Sequence, residues 1–174
     1  MGEVEDLNSF FEACEVYNRF CNNVATFRLY FCGSASSECD VKLIDDLLQK
    51  TVLHDKYSPV TFAEVTEWKE PTLSTGILGK ALKQFLFSYD YSTKTNESHA
   101  HDHVFREEAM CNAVLEKLGK IFNPNSEQVG FDEVKKLWKL TVSQDNAFYE
   151  IIYEDFVFLT RDGRVFCLHL GISD

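Results

Sequence analysis

The sequence predicts an α+β fold, predominantly helical with a C-terminal antiparallel β-hairpin, built as one domain over residues 1–174. Three observations predict it. Apolar residues recur at spacings of three and four through most of the chain, as on one side of a helix. The last fifty residues shift toward strand-like runs. Between two of those runs stands Asp162-Gly163, a pair that tolerates the positive φ angles of a tight hairpin. A chain of 174 residues, 45% hydrophobic and 14% aromatic, has the composition of a folded globule.

From Val4 to about Phe31, the residues Leu7, Phe10, Phe11, Cys14, Tyr17, Phe20, Cys21 and Val24 read as one side of a helix, with Thr26 to Phe31 equally readable as a strand. A loop follows at residues 33–37. Asp40 then caps a second helix bearing Val41, Ile44, Leu47, Leu48 and Val52. Residues 61–69 read as a short helix ended by Pro71, and 74–89 as a longer one. Residues 90–102 are polar and read as a loop, which would divide the chain into a helical part, 1–90, and a part with helices and hairpin, 103–174. A strong helix is expected at 103–122 and another at 131–140, while 143–154 fits helix or strand. In the hairpin, a two-residue turn at Asp162-Gly163 would place Leu159 opposite Phe166 and Phe158 opposite Cys167. Both hairpin faces are then apolar, so each needs a cover.

Composition narrows the function. Twenty-eight acids against seventeen bases leave a net charge of -11, which disfavours nucleic acid and anionic lipid. No apolar run approaches the length of a membrane span, and the N-terminus has no signal-peptide pattern, so an intracellular (cytoplasmic or nuclear) chain with reduced thiols is expected. Cys167 and His169 lie two apart on one strand, but a buried thiol is a poor nucleophile. No high-specificity catalytic motif occurs, and no cofactor is implied.

Two segments echo each other: Val60, Phe62, Glu64, Val65 against Val129, Phe131, Glu133, Val134, each after a helix and a polar break. Read as helix pairs, they suggest a degenerate EF-hand that lacks the calcium ligands. Read with the hairpin as a wing tipped by Arg161 and Arg164, the second half suggests a winged helix, whose acidic third helix would suit a protein better than DNA.

The stretch "NESHAHDH" places His99, His101 and His103 in five residues. It resembles a shortened form of the His-x-His-x-Asp-His run of metallo-β-lactamase-like hydrolases. It is one residue shorter, lacks the following Gly-rich turn, and the chain has no second strand-loop set for the remaining ligands. On an extended segment the three imidazoles would share a face and suit a Zn²⁺ or Cu²⁺ ion. The function expected is a non-enzymatic, adaptor or regulatory domain that binds another protein or a second copy of itself. Its contacts would be Arg161 and Arg164 at the hairpin tip and an aromatic surface around Trp68 and Trp138. A metal-dependent hydrolase or metal-binding protein at the histidine cluster, and a winged-helix nucleic-acid factor, are the alternatives.

Overall fold

The computed structural model describes residues 2–20, 24–35, 40–53, 60–66, 68, 75–87, 97–124, 130–142 and 152–173; within these, the side chains of 20, 87, 97–107 and 173 lie outside the description. The elements in order are α1 (Gly2–Phe20), β1 (Val24–Ser34), α2 (Val41–Leu48) with a π-helical turn at Gln49–Leu53, β2 (Val60–Glu64), α3 (Ile77–Phe87), α4 (Glu97–Phe122), β3 (Val134–Val142), β4 (Ile152–Thr160) and β5 (Arg164–Ser173). The strands form one antiparallel sheet in the order β1-β5-β4-β3-β2. Pairing of β1 with β5 carries the sheet across both halves of the chain.

The expected predominantly helical fold with only a C-terminal hairpin is therefore corrected. The hairpin exists as β4 and β5, but it lies inside a five-stranded sheet that takes β3, β4 and β5 from the C-terminal half and β1 and β2 from the N-terminal half. The winged-helix-like and EF-hand-like arrangements fall with it, because the segment read as a helix at 131–140 is mostly strand β3, and that read as helix at 61–69 begins within β2. The first echoed segment forms β2 and the second leads into β3, its neighbour in the sheet. A β-bulge explains the misreading of β3. Val134 pairs with Thr160 and Lys136 with Leu159, leaving Lys135 as an extra residue. Val134 and Leu137 thus reach the same face at a spacing of three, which imitates a helix.

The hairpin register is also shifted by one residue from expectation. Leu159 pairs with Val165 and Phe158 with Phe166, leaving a three-residue loop, Arg161-Asp162-Gly163. The Gly163 N–H donates to the Thr160 carbonyl at 3.0 Å, and Gly163 has φ of 87°. This is a turn followed by a left-handed residue. The tip is wedged against the end of β1: the Ala35 N–H donates to the Gly163 carbonyl at 2.8 Å, and a Cβ on Gly163 would collide with the Ala35 oxygen.

Each sheet face is covered. On one, Phe27, Leu29, Leu137, Phe156, Phe158, Phe166 and Leu168 pack against α1, α3 and α4. Helix α1 contributes Leu7, Phe11 and Cys14, α3 contributes Leu78, Leu82 and Phe85, and α4 contributes Cys111, Val114, Leu118 and Phe122. Phe122 sits at the centre of a ring cluster, 4.8 Å from Phe158 and 5.3 Å from both Phe131 and Phe166. On the other face, Trp138, Leu140, Val142, Val157, Leu159, Val165 and Cys167 meet Ile44 and Leu48 of α2 and Leu53 of the π-helical turn. Asp40 caps α2 as expected, its carboxylate accepting the Lys42 N–H at 3.0 Å.

Helix α1 also seals the edge of β1. The Asn8 side chain accepts the Leu29 N–H at 2.8 Å and donates to the Leu29 carbonyl at 2.9 Å, and Glu15 accepts the Phe27 N–H at 2.7 Å. These backbone groups face away from β5 and would otherwise offer a template for another strand.

Candidate functional site

The α2-covered face contains the fold's one deeply buried acid-base pair among the described residues. Asp155 of β4 and His169 of β5 stand directly opposite each other in the ladder. His169 Nδ1 lies 2.6 Å from Asp155 Oδ1, with Asp155 0% and His169 7% exposed. A carboxylate at Nδ1 fixes the orientation of the imidazole, as in pairs that act in proton transfer. Around it stand Cys167, two residues along β5, and Arg28, opposite His169 on β1. Tyr153 of β4 turns toward β3, where its hydroxyl donates to the Val142 carbonyl at 3.2 Å and accepts the Val142 N–H at 3.0 Å.

What this arrangement can do is limited by its burial. Cys167 is wholly buried, and desolvation, with the charge of Asp155 and the neighbouring Cys32 thiol, pushes its pKa well above the usual thiol value. Such a thiol stays protonated and is no nucleophile. Cys32, on the same face, is pushed up to about 11, chiefly by burial. Among the described residues no group of three or more His, Cys, Asp or Glu is placed to hold a metal ion. The Asp155–His169 pair is thus built as an internal polar clasp between two strands.

The residues expected at a partner surface lie elsewhere and do other things. Trp138 is 4% exposed, packed edge-on against Phe62 with ring centres 6.4 Å apart, and Trp68 is 6% exposed within the α1/α3/α4 core. The Arg161 Nε–H donates to the Asp132 carbonyl at 2.9 Å. Arg164 reaches the C-terminus of α4, donating from Nη1 to the Ile121 carbonyl at 2.9 Å and from Nη2 to the Phe122 carbonyl at 2.7 Å. A cation there satisfies the helix's last carbonyls and its dipole. Its Nε–H donates to Asp162 at 2.7 Å. Burial alone would raise the Asp162 carboxyl, but hydrogen bonds from Thr160 and Arg164 and the charge of Arg164 hold it below 3.8. The structure therefore brings Arg161, Arg164 and Asp162 together as a lock between the hairpin tip, α4 and the turn before β3.

His99, His101 and His103 belong to the first turns of α4, and their side chains lie outside the described residues. The backbone there is helical, so the extended segment expected to align all three imidazoles is replaced by one in which residues two apart are turned about 200° around the axis.

Two features escaped sequence reasoning. Asp155 was invisible as the partner of His169, because the two-residue turn would have set it opposite Leu170. The second feature is the outward side of α1. Leu7, Phe11, Cys14 and Asn18 turn inward, yet Ala13, Val16 and Tyr17 face solvent, with Val16 52% and Tyr17 53% exposed. Val24, at the start of β1, is 47% exposed. The spacing of 13, 16 and 17 is visible in the sequence, but Tyr17 reads equally well as part of the inward stripe.

Compared with protein-family models, curated proteins and solved structures, the chain matches none. Among the described residues no helix is long and apolar enough to cross a membrane.

Proposed function

We propose that this chain is a non-catalytic domain that works by binding another protein, through the outward side of α1. The observation that carries this reading is the exposure of Val16 and Tyr17, with Ala13, on that side of the helix. Single exposed apolar side chains are ordinary on protein surfaces, but neighbouring ones at helical spacing form the kind of anchor a partner helix or groove uses. The contrast with the interior supports it. The aromatic residues that supply the chain's surplus of greasy surface, including Trp68 and Trp138, are mostly spent on two internal cores, whereas these stay outside. The only acid-base pair with catalytic geometry among the described residues is closed to solvent.

The test is co-purification from native extract with the wild-type chain and with Val16→Ser/Tyr17→Ser. The expected result is a stoichiometric partner retained by the wild type and lost by the variant, with circular dichroism showing the variant folded. A strict monomer with no partner, or a partner held equally by both proteins, overturns the reading.

A further inference from the structure

Charge decides what kind of partner the α1 surface fits. Toward the N-terminus, the row of Ala13, Val16 and Tyr17 continues through Ser9 into Glu5, Asp6 and Glu12, all exposed. At 100° per residue Glu5, Ser9, Glu12, Ala13 and Val16 lie on the side of the helix away from Leu7, Phe11 and Cys14, and Asp6 and Tyr17 flank them about 90° from that inward stripe. The exposed charges of α1 are Glu3, Glu5, Asp6, Glu12 and Arg19, four acids against one base, for a net of -3. The nearest cation to Glu12 on β1 is Arg28, at 3.9 Å with both side chains about half exposed, which is too loose to neutralise the row. A second copy of this chain would bring the same acidic helix and the same overall charge of -11, so pairing α1 with α1 sets like charges against each other.

Taking the protein-binding reading above as its basis, we propose that the outward side of α1 docks a basic amphipathic helix from a different protein. Apolar residues of that helix, at spacings of three and four, cover Ala13, Val16 and Tyr17. Its Lys and Arg residues lie beside Glu5, Asp6 and Glu12. Two helices in contact run about 8–10 Å apart, close enough for long basic side chains to flank the apolar row and reach the acids. Association is fast and falls with ionic strength, because the acidic row steers a cationic partner.

The experiment uses fluorescence anisotropy on the full chain with three labelled 18-residue probes: a Leu/Lys amphipathic helix, a Leu/Glu helix of the same pattern, and a Lys/Ser peptide with the basic charge but no apolar face. The Leu/Lys helix is expected to bind at least tenfold more tightly than either of the others. Val16→Ser/Tyr17→Ser is expected to weaken it tenfold or more. Glu5→Gln/Asp6→Asn/Glu12→Gln is expected to weaken it at least fivefold and flatten its salt dependence. The distant triple variant Asp46→Asn/Glu108→Gln/Glu116→Gln is expected to leave it unchanged. The inference is overturned if Val16→Ser/Tyr17→Ser has no effect, or if the distant triple weakens binding as much as the α1 triple. Circular dichroism on each variant separates loss of binding from loss of fold. If the α1 pair unfolds the chain, Glu5→Lys/Glu12→Lys decides, and unchanged binding by that variant overturns the proposal. Failure of the Leu/Lys helix to bind, while a native partner still depends on Val16 and Tyr17, removes the basic-helix inference and leaves the protein-binding reading in place.

Discussion

The two faces of the sheet come from alternate residues of the same strands, yet they are stabilised differently. The face under α1, α3 and α4 is apolar on its central strands, with Phe156, Phe158, Phe166 and Leu168 closing on the Phe122 and Phe131 rings. The face under α2 mixes Val157, Leu159 and Val165 with Cys167 and the Asp155–His169 pair. An all-apolar face favours any register that keeps rings inward. A directly opposed acid and imidazole favour one, since a slip of one residue turns Asp155 toward the phenylalanines, where it would be buried without its partner. The aromatic face thus supplies most of the driving force for folding and the clasp supplies the choice of register.

The two faces are expected to respond most differently to substitution at the clasp. Asp155→Ala leaves His169 buried without its acid and is expected to cost about 3–5 kcal/mol, as is His169→Ala. The double variant Asp155→Leu/His169→Leu is expected to regain part of the loss, because neither member of the pair is then left buried without the other. On the aromatic face, Phe158→Ala is also expected to cost about 3–5 kcal/mol, but as a cavity that no second polar-to-apolar change repairs. Urea unfolding measures all four. A double variant as unstable as the singles would show that the clasp contributes through more than mutual compensation.

Next in size is the tip, where the two faces are pinned together. Gly163→Ala forces a side chain into φ of 87° and into contact with the Ala35 oxygen, and the strained backbone alone is expected to cost about 1–3 kcal/mol. A wild-type melting temperature for this variant would mean that the end of β1 is not held by the turn.

This hairpin also shows how far the sequence could be read. The segments of α1, α2 with its Asp40 cap, α3 and most of α4 were legible because their apolar spacing and capping chemistry are local. The hairpin's existence was legible from Asp162-Gly163. Its register was not, because Asp162 and Gly163 fit a two-residue and a three-residue loop alike, and the choice depends on Ala35, which is distant in sequence. That single residue of slip concealed the Asp155–His169 pair. Strand β3 was illegible because the bulge at Lys135 gives Val134 and Leu137 helical spacing, and β2 because five residues on a sheet edge carry too short a pattern. The arginines at the tip looked like surface charge because the carbonyls they satisfy, of Ile121, Phe122 and Asp132, lie in other elements.

At the edge of the sheet the expected effects are smaller. Asn8→Ala removes both side-chain bonds to Leu29 and is expected to cost about 1–3 kcal/mol. Amide exchange is expected to quicken at Phe27 and Leu29 while β4 remains protected. Equal acceleration across β4 would show that α1 holds the whole sheet and not its edge alone.

The smallest effect compares a thiol from each side of the sheet. Cys14 of α1 and Cys32 of β1 both have pKa values raised from 9.0 to about 11, each chiefly by burial. A thiol held protonated in the folded state binds its proton more tightly than the unfolded chain does. Its stabilising contribution is therefore whole below pH 9 and declines as the pH rises through about 11. At pH 10 the loss is expected to be about 1 kcal/mol for each thiol. Melting curves at pH 8, 9, 10 and 11 are expected to fall progressively for the wild type and less steeply for Cys14→Ala and Cys32→Ala, the two single slopes adding in the double variant because the residues belong to separate cores. Identical slopes for wild type and double variant would assign the alkaline loss to other groups and remove the two thiols as probes of the faces they occupy.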